Sequence, residues 1–132
     1  MNTKYLMSGS AVILGITGIA LSFFPQEIAE NLGAGAASSI IFQLLGAVYF
    51  GFAMLNWMAK ANLIGGIYSR PVAIGNMSHF TIGALALIKI PFNGTGLNYV
   101  WVGALVYSVL AILFGYVLFT NPAYEAQKEQ VR

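Results

Sequence analysis

Asn56, Lys60, Arg70, Asn76 and His79 all fall within residues 56–79 of an otherwise strongly apolar chain, and Tyr49 precedes Asn56 by two helical turns. Such a set is suited to three kinds of chemistry. Amides and an imidazole in hydrocarbon can hydrogen-bond between helices as structural glue. Lys60 closes one apolar block and Arg70-Pro71 opens the next, with Gly65-Gly66 between them. A helix start beside two cations suits an anion, and a lipid phosphate is the anion most available at a membrane surface. The third kind, catalysis, has little to work with. His79 is the only histidine, there is no Cys and no Asp, and the four carboxylates (Glu27, Glu30, Glu125, Glu129) lie outside the apolar blocks. A proton-coupled transporter ordinarily carries an acid within its spans, and a metal site needs further ligands. The reading is therefore of a non-enzymatic chain with no cofactor and no metal, whose candidate ligand-binding residues are Tyr49, Asn56, Lys60, Arg70, Asn76 and His79.

The elements that hold these residues follow from composition. Of 132 residues, 58% are hydrophobic and 8% charged, and the mean hydropathy is +0.77. A soluble domain carries about 25% charged residues, so this chain lacks the means to cover itself for water. The apolar residues form four blocks, at 5–24, 39–58, 71–90 and 97–119. Each is long enough, as a helix, to cross a hydrocarbon core of about 30 Å. Helices are required because lipid offers no partners to an open backbone. The expectation is an all-α, integral membrane four-helix bundle, a single four-span domain over 1–132 with its tail at 120–132. The first block is longer than the apolar core of a cleaved signal peptide and reads as a span. The net charge of +2 is too small and dispersed to suggest nucleic acid.

Basic residues set the orientation. Lys4, Lys60, Arg70, Lys128 and Arg132 fall on one side of the four spans and Lys89 alone on the other, which predicts cytoplasmic termini. Trp57, Tyr68, Tyr99, Trp101, Tyr116 and Tyr124 sit near span ends, where amphipathic rings favour the interface. In the first loop, Pro25 suits a helix start and Gly33 a stop, so "PQEIAENLG" predicts a short interfacial helix after the first span, with Ile28 and Leu32 on one face. The third loop is a turn on Asn93-Gly94.

Depth and spacing then place the polar groups. Counted from the cytoplasmic ends, Ser8, Asn56, Asn76 and Tyr116 fall at similar depth, with Tyr49 and His79 deeper. Asn76, His79 and Gly83 share a helix face, as do Tyr49, Ala53 and Asn56. Polar faces turn away from lipid, which predicts a polar layer inside the cytoplasmic half of the bundle. Ala11, Gly15, Gly18 and Ser22 form a small-residue stripe on the first span, and Ala104, Ser108, Ala111 and Gly115 form another on the fourth. Such stripes let helix backbones approach closely, here within the chain in preference to between subunits.

The segments "FFPQEIAENLG", "QLLGAVYFGFAMLNWMAK" and "IGGIYSRPVAIGNMSHFTIGALAL" resemble a bacterial four-span small membrane protein family of unknown function, broadly DoxX-like. The likeness covers about residues 8–90 and is most specific in the "LNWMA…GGIYSRP…N…HF" pattern. It implies a multi-pass protein of the bacterial inner membrane and carries no catalytic residue. The function expected is binding of a lipid or another apolar ligand, or service as an accessory subunit of a membrane complex. A small homo-oligomeric channel or transporter is the alternative. Membrane lipids, copies of the chain or a larger membrane complex are the expected partners.

Overall fold

The computed structural model describes residues 3–61, 69–92 and 98–120, and every regular element among them is helical. The order is α1 (Thr3–Phe23), α2 (Pro25–Asn31), a single 3-10 turn (Ala36–Ser38), α3 (Ser39–Ala59), α4 (Arg70–Phe92) and α5 (Asn98–Thr120). The class is the expected one: all-α, with four long apolar helices and a short helix after the first. α1, α3, α4 and α5 are each long and apolar enough to cross a membrane. Their surfaces agree. Ile16, Ile41, Ile112 and Phe119 are all more than 60% exposed, a dress that suits lipid and not water. Hydroxyls within the helices bond their own backbone, as Thr17 Oγ1 to the Ile13 carbonyl at 2.9 Å and Ser108 Oγ to that of Ala104 at 2.7 Å. No water is needed to satisfy them.

The chain divides into two compact units, one covering Lys4–Ala61 and the other built on α4 and α5. In the first, α2 begins as its sequence predicts. Phe24 leaves the helical region at φ −122° and Pro25 takes the first helical position, where a missing N–H costs nothing. The helix ends in a Schellman turn. Gly33 adopts φ +70°, its N–H donates to the Glu30 carbonyl at 3.0 Å, and the Ala34 N–H reaches the Ala29 carbonyl at 2.8 Å. A side chain at position 33 would strain that turn. α2 packs on α3, and its buried residue is Ala29; Leu32, expected beside Ile28, is 40% exposed.

α1 and α3 cross at their glycines. A Cβ on Gly18 would lie 2.7 Å from the Phe50 nitrogen and 2.9 Å from the Gly46 oxygen; one on Gly46 would meet Ser22 Oγ at 2.6 Å. The stripe Gly15, Gly18, Ser22 is thus an intramolecular contact, in which missing side chains let backbones touch and dispersion holds the pair. Contacts step down α3 from Gly46 to Ala53 as α1 is followed back from Ser22 to Gly15, so the two helices run antiparallel.

α4 and α5 pack by a different rule. On α4 the small Ala73, Gly83 and Ala84 and the bulky, fully buried Phe80 accompany large residues on α5, Tyr107, Leu110, Phe114 and Val117. Gly83 leaves the space that Tyr107 fills: a Cβ there would meet the ring at 2.5 Å. Leu87 touches Gly103 and Met77 approaches Gly115, again in antiparallel order. On α5 the fully buried positions are Phe114 and Val117, so bulk dominates this contact and not the expected stripe, of which Ala104 alone is buried.

Candidate functional site

The six candidate residues fall in the two units, three in each. In the first, Tyr49 is half-buried on α3 and Asn56 is fully buried one turn from its end. Asn56 Nδ2 donates to Ser10 Oγ at 3.0 Å, and Ser10 Oγ donates to the Met7 carbonyl at 3.0 Å. Both side chains are at zero exposure. This relay ties α3 to α1 and satisfies groups that would otherwise be costly in an apolar interior. Lys60 caps the C-terminal end of α3, where a cation offsets the helix dipole. Its ammonium lies over the Trp57 ring, 2.8 Å from the centroid, a cation–π contact.

In the α4·α5 unit, Arg70 is the first residue of α4 and is exposed. Asn76 is fully buried and donates to the Val72 carbonyl at 2.9 Å. His79 is half-buried among rings: Phe80 edge-on at 5.1 Å and Tyr107 tilted at 5.7 Å. Phe80 extends the cluster to Tyr107 at 5.2 Å and to Phe114 at 5.7 Å, the latter pair nearly parallel. Offset and edge-to-face rings at such distances attract beyond their area burial. Gly65-Gly66, expected to join Lys60 and Arg70 in an anion site, lies outside the described residues, as do Tyr68, the Asn93-Gly94 turn and the tail.

Several participants escaped sequence reasoning. Ser10, which depth counting does not single out, is the α1 partner of Asn56. Tyr107 lies far from either span end, away from the positions that interface preference marks. A phenol in the middle of a span is itself the signal that would have found it, since its hydroxyl must be accommodated there. Phe80 and Phe114 read as generic apolar residues, and nothing in their spacing sets them apart.

Geometry also adds an unforeseen feature. On the α1·α3 pair lies an open groove of about 310 Å³, lined by Ala11, Val12 and Gly15 of α1 and by Phe50, Ala53, Met54 and Trp57 of α3. That volume is at the lower end of the range of ligand pockets, about 300–1,000 Å³. Its walls are apolar side chains, and its floor is kept low by Gly15 and Ala53, where a Gly15 Cβ would stand 3.6 Å from that of Ala53. One end is the Trp57 ring that carries Lys60. Chemically, the groove is an apolar surface with a cation at one end. Comparison with family models, with characterised proteins and with solved structures finds no match.

Proposed function

We propose that this chain is a non-enzymatic, multi-pass protein of the bacterial inner membrane, with both termini cytoplasmic, that holds a lipid or another apolar molecule against α1 and α3. It would act as a lipid-binding protein or as the lipid-bearing accessory subunit of a membrane complex. The observation that carries this reading is the groove itself. It is apolar along its length, lies on helices fit to cross a membrane, and ends at an indole–ammonium pair. An open groove leaves its apolar walls to be covered by an apolar molecule of the membrane, because uncovered walls forfeit dispersion contacts. The buried Asn56–Ser10 bond beside it holds the two walls at fixed separation. The resemblance to DoxX-like four-span proteins is part of the same proposal and supports its membrane setting.

The test is native mass spectrometry of the full chain released from its own membrane. Wild-type protein is expected to retain a lipid or other apolar molecule, and Gly15→Leu, which raises the groove floor, to lose it while keeping wild-type helicity. Equal retention by the two proteins would remove the groove as the binding site.

A further inference from the structure

We infer that the occupant of the α1·α3 groove is an anionic phospholipid, seated with one acyl chain in the groove and its headgroup at Lys60. This rests on the lipid-binding reading above and narrows it to one class of ligand.

Length supports an acyl chain. Trp57 stands two residues inside the end of α3 and Phe50 nine residues inside. At about 1.5 Å per residue the groove therefore runs from roughly 3 to 14 Å below the helix end. Half of a hydrocarbon core of about 30 Å is 15 Å. The groove thus covers the depth of one leaflet, beginning near the interface and stopping near the midplane. A compact apolar molecule would need no such elongated seat.

Charge supports an anionic head. The Asn56–Ser10 bond sets the register of the antiparallel pair. From it, Lys60 lies one turn beyond Asn56 on α3, and Lys4 lies six residues before Ser10 on α1, at the same end of the pair. The carboxylates of this unit, Glu27 and Glu30, both belong to α2, at the far end of α1 and both exposed. The unit is therefore cationic where the groove opens to the interface and anionic at its other end. Lys60 is held over Trp57, and Trp57 is also a groove wall. One residue thus positions the cation and contacts the chain. A phosphate there gains a positioned ammonium as its partner, and a zwitterionic head brings a cation of its own to the same place.

Bromine-bearing acyl chains quench indole fluorescence at contact and provide the test. The background is the full chain with Trp101→Phe, which leaves Trp57 as its single tryptophan. It is reconstituted in phosphatidylcholine bilayers containing a minority of phosphatidylglycerol or of phosphatidylcholine brominated on the chain. Brominated phosphatidylglycerol is expected to quench Trp57 well beyond its share of the bilayer, and brominated phosphatidylcholine in proportion to its share. Lys60→Gln should lower the preference about fivefold, the effect of one basic residue at an anionic surface. Gly15→Leu and Val12→Phe, which fill the groove from its floor and its rim, should abolish the excess while circular dichroism stays unchanged. Equal quenching by the two lipids, with Lys60→Gln silent and groove filling still protective, would overturn the anionic headgroup and leave the lipid groove standing. If neither filled variant alters quenching, the groove holds no chain, and this inference and the reading beneath it both fall.

Discussion

Gly18→Ala is the sharpest perturbation of the α1·α3 pair. The added Cβ would stand 2.7 Å from the Phe50 nitrogen, 2.9 Å from the Gly46 oxygen and 3.1 Å from the Phe50 Cα. All three are backbone atoms, so no rotamer change relieves the clash. Ordinary contact begins at 3.4 Å, so the helices must part by the difference between 3.4 and 2.7, about 0.7 Å, at a typical overpacking cost of about 1–3 kcal/mol. Carried rigidly along the pair, that parting takes the Asn56–Ser10 bond from 3.0 Å to about 3.7 Å, beyond hydrogen-bonding range. The lost bond adds about 0.6–1.7 kcal/mol in a membrane setting. Helix propensity works the other way, by about 1 kcal/mol for any glycine replaced by alanine within a helix. Gly9 on α1 and Gly51 on α3 correct for this term, because a Cβ at either meets nothing within 4 Å. Reversible unfolding of the full chain in mixed micelles, followed by circular dichroism, measures all three variants. Gly18→Ala is expected to fall at least 1 kcal/mol below Gly9→Ala and Gly51→Ala. Equal stability of the three would refute the close crossing and the register drawn from it.

Further outcomes follow from the same packing. Ser10→Ala and Asn56→Leu, alone and combined, should show a coupling of about 0.6–1.7 kcal/mol in unfolding experiments, and additive losses would mean that the buried bond contributes nothing. Gly83→Ala should destabilise the α4·α5 unit, whereas the same substitution in a Tyr107→Leu background should cost much less, because the ring at 2.5 Å is the obstacle; equal costs in both backgrounds would contradict that contact. Reporter fusions at the C-terminus and within 92–96 should place the tail inside and the third loop outside, and a periplasmic tail would overturn the orientation drawn from Lys4, Lys60, Arg70, Lys128 and Arg132.

Much of this architecture is legible in the sequence because lipid imposes simple demands. A helix must be long enough to cross, so apolar blocks located α1, α3, α4 and α5 to within one or two residues at most ends. Pro25 and Gly33 bracketed α2 because the first lacks a donor that a helix start does not need and the second tolerates φ +70°. Asn56 and Asn76 were placed inside because hydrocarbon penalises exposed amides, and both are fully buried. Their partners were less accessible. Depth counting aligns helix ends on one plane, whereas the Asn56–Ser10 bond joins a residue three from the end of α3 to one seven from the start of α1. That offset, about 6 Å along the axes, is why a depth count from the helix ends does not reach Ser10. The α1 stripe was visible as a run of small residues, but Gly46 as its opposing surface depends on helix rotation, which spacing within one helix does not specify. The groove was the least legible feature. It consists of what Ala11, Gly15 and Ala53 leave unfilled between Phe50 and Trp57, and an empty space has no residue type to announce it.

The most direct test of the central claim uses a phospholipid that carries a photoactivated carbene precursor on one acyl chain. The full-length protein is labelled in bilayers, digested, and the adducts mapped by mass spectrometry. A lipid held in the groove predicts adducts concentrated on Val12, Phe50 and Met54, reduced sharply in Gly15→Leu. Adducts spread evenly over outward residues such as Ile16, Ile41 and Ile112, unchanged by Gly15→Leu, would contradict the account.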